Sequence, residues 1–229
     1  MLPRDAPDRR LDVDGTIARS IAAAQAWLAL RTGGLQLKVR SIPDHPALFH
    51  RSRRSGAEWL GLGDHPLYAI EEELRGVGWD TSKSLLGVYF DGPNAGACGD
   101  GISPEKGHKG RIFALYLSAA WPERRPCRSI PLGGTDGRPG YWEFIFLHEA
   151  VHALGFVTDC APHFATLGHV SDSPADLLYR GPLVWEPDAL DTNNDDYFRH
   201  GNQACPDLAD SPYLQPARAH RDARALNPR

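Results

Sequence analysis

The stretch "YWEFIFLHEAVHALG", residues 141–155, decides how this chain is read. Apolar residues dominate it from Tyr141 to Leu154, as in a buried helix, and Gly155 supplies the residue type that most often ends one. Its second half carries only three polar groups, His148, Glu149 and His152. Residues four apart on a helix point the same way, so the two histidines present their imidazoles to one point, where a cation about 2 Å from each nitrogen satisfies both. Glu149 lies too far round the helix to be an easy third ligand, but it is placed to accept a proton from water beside such an ion. The chain's own His and Glu frequencies make this spacing a chance event expected roughly 0.02 times, and requiring the glycine lowers that to roughly 0.002. Metal chemistry is therefore preferred to two core histidines on an amphipathic helix.

Upstream, "TIARSIAAAQAWLALR" (16–31) has helical spacing, with Asp14 or Thr16 to cap it and Gly33-Gly34 to stop it. "LQLKVRSI" (35–42) alternates as a half-buried strand does, and residues 43–66 are rich in turn formers, with a basic cluster at Arg51, Arg53 and Arg54 that suits a solvated loop. A second helix is expected over 66–75. Strands are expected over 84–92 and 111–119, joined by a Gly- and Pro-rich excursion rather than a tight hairpin. The final third reads as irregular. The fold class implied is α+β, a small sheet with scaffold helices in one domain.

With 229 residues, 41% of them hydrophobic, the chain is long enough to bury a proper core, and a net charge of -4 spread along the sequence argues against nucleic acid as a partner. No apolar run reaches the roughly 18 residues of a membrane span. Four cysteines, Cys98, Cys127, Cys160 and Cys205, sit in loop-like settings without a CxxC pair, which favours two disulfides over a zinc knuckle. Of the three possible connectivities, Cys98–Cys127 with Cys160–Cys205 is preferred. Disulfides imply an oxidising compartment, so an extracellular protein is expected, although the charged start "MLPRDAPDRRLDVDG" lacks the apolar core of an export signal; truncation of a precursor would reconcile the two.

"HEAVHALG" resembles the HExxHxxG segment of the metzincin zinc peptidases. "HEAVHALGFVTDCAPHFATLGHVSDSPADLLY" (148–179) is similar to bacterial secreted metzincin-like proteins in which a GH precedes a DLMY-like turn. The resemblance covers roughly the last ninety residues, with a weaker likeness near the start. It implies a single metallopeptidase-like domain over 1–229: an N-terminal subdomain of about 12–155 ending in the active-site helix, and a C-terminal one, 156–229, with the third zinc ligand and the turn beneath the metal. It also implies a Zn2+ cofactor, a peptide or protein substrate, and endopeptidase activity in which a metal-activated water attacks the peptide bond with Glu149 as general base. A monomer without membrane or nucleic-acid partners is expected.

Two positions depart from the family pattern. Thr158 stands where the third ligand usually falls, and Leu178 stands where the turn has methionine. The third ligand is then open among His169, His163 and Asp159, with His169 preferred for its longer return loop and the glycine before it. Asp172 is a candidate to orient a ligand histidine, or else a turn residue. A glutamate ligand from a later helix is disfavoured, since Glu186 is followed by a proline. The alternative function is a secreted binding module that keeps the fold, with or without the metal, and lacks catalysis.

Other features are given plainer readings. "DTNNDD" (191–196) has some of the spacing of a calcium loop but lacks its glycine and its final glutamate, and reads as turn chemistry. His45, His50, His65, His108, His200 and His220 lack a partner at ligand spacing. Trp142 and Trp185 are candidates to border a cleft. A strand such as 111–118 is expected at the cleft edge, where an extended substrate would add to it.

Overall fold

The computed structural model describes residues 1–40, 47–63, 66–80, 82, 84–93, 97–102, 111–118, 131–134 and 136–217. In chain order the elements are α1 (Thr16–Thr32), β1 (Leu35–Leu37), α2 (Gly56–Leu60), α3 (Leu67–Gly76), β2 (Leu85–Phe90), β3 (Gly99–Ile102), β4 (Arg111–Tyr116) and α4 (Tyr141–Leu154), then two short 3-10 turns and β5 (Leu214–Pro216). The class is α+β, with small sheets. His45, His65, His108, Cys127 and His220 lie outside the described residues.

β4 is the middle strand of a three-stranded sheet in the order β2-β4-β3, parallel to β2 and antiparallel to β3. The expectation that residues 111–118 edge the cleft is thus corrected: among the described residues β3, from the Gly-rich excursion, takes an edge. β4 is shielded on both faces, with Ile112, Phe113, Ala114, Leu115 and Tyr116 all buried, so its sequence is continuously apolar rather than alternating. Of the strand expected over 35–42, Leu35–Leu37 form β1, paired antiparallel with β5, and residues 41–42 lie outside the described residues.

α4 crosses β4 and β3 and packs on α1. Trp142, Ile145, Phe146, Leu147, Ala150, Val151, Ala153 and Leu154 are buried along it, and each fully buried large side chain contributes roughly 1.5–3 kcal/mol. The first turn is fixed by Glu143, which is fully buried and accepts from the Gly140 N–H at 2.9 Å, the Gly133 N–H at 3.0 Å and the Ser20 hydroxyl at 2.6 Å. That last bond ties α4 to α1. Trp142, expected near a cleft, is 1% exposed and belongs to the core.

Among the described residues beyond α4 there is almost no repeating structure, so other bonds hold this part of the chain. Cys160 is joined to Cys205 across 45 residues. Cys98 is also disulfide-bonded, and its expected partner, Cys127, lies outside the described residues. The carboxylate of Asp176, buried, accepts from the N–H groups of Leu178 (2.7 Å) and Thr192 (2.8 Å) and from the Tyr197 hydroxyl (2.9 Å). Asp191 likewise accepts from the N–H groups of Tyr197 and Phe198. Buried carboxylates here replace the backbone ladders that a helix or sheet would supply.

Candidate metal centre

His148 and His152 stand one turn apart near the end of α4, which stops at Gly155 in the left-handed region (φ 76°). The chain then returns as a small hairpin: Phe164 and Val170 form an antiparallel bridge, the Ala165 N–H donates to the His169 carbonyl at 2.9 Å, and the His169 N–H to the Thr166 carbonyl at 3.1 Å. Gly168 has φ 77°, and a Cβ on it would lie 3.2 Å from His152 Nδ1. Glycine thus allows both the turn and the close approach of the hairpin to the helix.

The outcome is that the Nε2 atoms of three histidines meet. His152 Nε2 lies 3.0 Å from His148 Nε2 and 3.2 Å from His169 Nε2. Zinc–nitrogen distances of about 2.0–2.1 Å in a tetrahedral arrangement place ligand nitrogens roughly 3.3 Å apart, close to this spacing. The other ring nitrogens agree. His148 Nδ1 lies 2.7 Å from the Leu177 carbonyl and His169 Nδ1 3.0 Å from the Thr166 carbonyl. A carbonyl only accepts, so Nδ1 carries the hydrogen in both rings and their Nε2 lone pairs are directed at the point His152 Nε2 also faces. Such lone pairs repel one another unless a cation lies between them, so the donor set fits a zinc ion. Burial, with His169 beside it, pulls His148 down to about 3, against the Leu177 bond, which keeps the ring neutral as a ligand must be.

Glu149, next to His148 on α4, faces β3. It is 8% exposed and lies under β3: a Cβ on Gly99 would sit 2.8 Å from Glu149 Oε1, and one on Gly101 only 2.1 Å from the Glu149 carbonyl oxygen. The two glycines of "GDGI" therefore let the edge strand pass directly over this helical turn. Burial pushes the Glu149 carboxyl well above its usual range, and Asp100 adds to the shift; a bound dication would act in the opposite sense.

The turn beneath the histidines is residues 176–179. Leu177 and Leu178 are fully buried, and the Leu177 carbonyl accepts from Trp185 Nε1 (3.2 Å) as well as facing His148. The Trp185 ring packs edge-on to His148 with centroids 5.5 Å apart, so of the two tryptophans it is the one beside the histidines.

His169 is thus the candidate that joins His148 and His152; Asp159, His163 and Glu186 do not. Asp172 does not orient a triad histidine. It lies instead with His163, Asp195 and Asp196 in a second group. His50, which lacks a partner at ligand spacing in the sequence, has its Nε2 3.0 Å from Glu73 Oε1. Sequence reasoning missed the Leu177 carbonyl, which as backbone leaves no trace in residue type, and Gly99 and Gly101, whose alternation around Asp100 was a readable sign of a strand pressed against a neighbour.

No protein-family model matches the chain, and no curated protein or solved structure does either.

Proposed function

We propose that this protein is a zinc-dependent endopeptidase of metzincin type, with His148, His152 and His169 holding the ion and Glu149 as general base. One observation carries the reading: three imidazole nitrogens converge, those of His148 and His169, each with its lone pair fixed by a carbonyl behind the ring, lying within 3.2 Å of His152 Nε2. An ion held by three protein groups retains an open position, which is how catalytic zinc differs from structural zinc. Zinc so bound supplies Lewis acidity, polarising a peptide carbonyl and lowering the pKa of water towards about 7. Glu149, next in sequence to the first ligand, would accept a proton from such a water and hold it for the leaving amine. β3, the edge of its sheet and in contact with Glu149, offers backbone groups to which an extended peptide adds as a further strand. The Cys160–Cys205 bond supports an extracellular setting, and no described helix is long and apolar enough to cross a membrane.

A second reading, a binding module that keeps the ion without catalysis, is favoured by one feature, the depth at which Glu149 is buried. Zinc content and casein cleavage, measured together on wild type and Glu149→Gln, separate the two. The expected result is the same zinc content in both proteins, with cleavage lower by about 10²–10⁴-fold in the variant. Equal cleavage by both would remove Glu149 from the mechanism, and no cleavage by zinc-loaded wild type across unrelated substrates would favour the binding module.

A further inference from the structure

We propose a second divalent-cation site, formed by His163, Asp172, Asp195 and Asp196. One ligand atom from each lies within 4.8 Å of every other. His163 Nδ1 is 3.1 Å from Asp196 Oδ2 and 3.9 Å from Asp195 Oδ1, and the His163 N–H donates to Asp196 Oδ1 at 2.8 Å. Taken alone, that is a histidine–aspartate pair. Asp172 and Asp195 require more. Both carboxylate oxygens of Asp172 are shut off from solvent without a hydrogen-bond donor, and so is Oδ1 of Asp195, whose side chain is otherwise 41% exposed. The backbone N–H groups of Asp172 and Ser173 stand beside the Asp172 carboxylate but outside hydrogen-bond geometry.

Charge points the same way. Three carboxylates carry -3 beside a histidine that is neutral when it acts as a ligand, and among the described residues no lysine or arginine forms an ion pair with any of the three. Closing carboxylate oxygens off from water without donors is costly, and a dication supplies both the missing charge and the missing coordination. One nitrogen with three carboxylates suits a transition cation such as zinc or manganese better than calcium, which takes oxygen ligands.

The place in the fold gives the site a purpose. His163 and Asp172 flank the two arms of the hairpin that carries His169, and the arms are joined there by the Ser171 N–H donating to the His163 carbonyl at 3.0 Å. Asp195 and Asp196 come from the segment after the 3-10 turn at Thr192–Asn194. An ion among the four ties the base of the hairpin to the C-terminal part of the chain, in a stretch with few ladder bonds. Two of the three aspartates of "DTNNDD", Asp195 and Asp196, belong to this site, though not as a calcium loop.

The test is to count ions by elemental analysis after chelator treatment and dialysis against zinc, manganese or calcium, each alone. Wild type should retain about two zinc ions per chain and His152→Ala about one, while His152→Ala/Asp172→Asn/Asp195→Asn should retain none. The single variant should also keep about one manganese, with a rise in melting temperature on adding the ion that the triple variant lacks. Retention of no ion by His152→Ala, of calcium alone, or of as much zinc by the triple variant overturns the site. The wild-type and single-variant arms leave the cluster intact, so they test the site even if the triple variant does not fold.

Discussion

Leu178 shows how little one side chain can matter beside the bonds its backbone makes. It is fully buried in the turn below the histidines, its N–H is held by the Asp176 carboxylate, and its carbonyl accepts from the Val170 N–H, next in sequence to His169. Both bonds belong to the main chain, so the side chain's task is to fill space. Leucine and methionine are near in volume, and such exchanges in a core cost less than about 1.5 kcal/mol. Leu178→Met should therefore shift the melting temperature by no more than about 6 °C, at about 2–4 °C per kcal/mol for a chain of this length, and leave zinc content unchanged. Calorimetry with elemental analysis checks this, and loss of the ion would show that the branched side chain is itself part of the site. The triad histidines differ in legibility for a related reason. His148 and His152 sit on one regular helix, where spacing dictates direction, whereas the choice of His169 over His163 depends on a hairpin held by Gly168 and a Phe164–Val170 bridge, which residue counting does not reveal.

At the scale of elements, the tightest constraint is the crossing of β3 over α4. Gly101 faces the backbone of Glu149 so closely that any Cβ overlaps a carbonyl oxygen, and backbone cannot rotate away as a flexible side chain does. Gly101→Val should cost about 1–3 kcal/mol through displacement of strand or helix, and it should depress cleavage further than stability alone explains, because the displaced turn is the one that bears Glu149. Gly76→Ala, at the end of α3 with open space around it, is the control and should be neutral or slightly stabilising. Thermal unfolding and casein cleavage on both variants decide it; a Gly101→Val protein as stable and active as the control would mean that β3 does not press on α4 in solution. The same crossing explains where reading by pattern stopped. α1, α3, β2, β4 and α4 announce themselves by apolar periodicity or apolar runs. β3 has one apolar residue in four and so looks like a loop, and the short α2, announced only by its Ser55–Glu58 capping box, lies in a stretch dominated by turn formers.

For the molecule as a whole, the question is what holds a C-terminal third that has hardly any regular structure. The Cys160–Cys205 bond encloses His163, His169, Asp172, the turn at 176–179 and the Asp195–Asp196 pair, so both proposed ion sites draw on one covalently closed loop. Closing a loop of 45 residues removes unfolded-state entropy worth about 4 kcal/mol in the chain-entropy account. Replacing both cysteines by serine should then lower the melting temperature by about 8–16 °C. It should also speed zinc loss to a chelator, since His169 reaches the helix only through this loop, while Glu143 and Ser20 continue to hold α4 against α1 independently of it. Scanning calorimetry and a timed chelator challenge on the double variant read the two effects separately. A lower melting temperature with unchanged zinc loss would mean that the buried carboxylates of Asp176 and Asp191 are enough to keep His169 in place. An unchanged melting temperature would show that the loop is held closed by those bonds in the unfolded ensemble as well, and the entropic account of this disulfide would have to be given up.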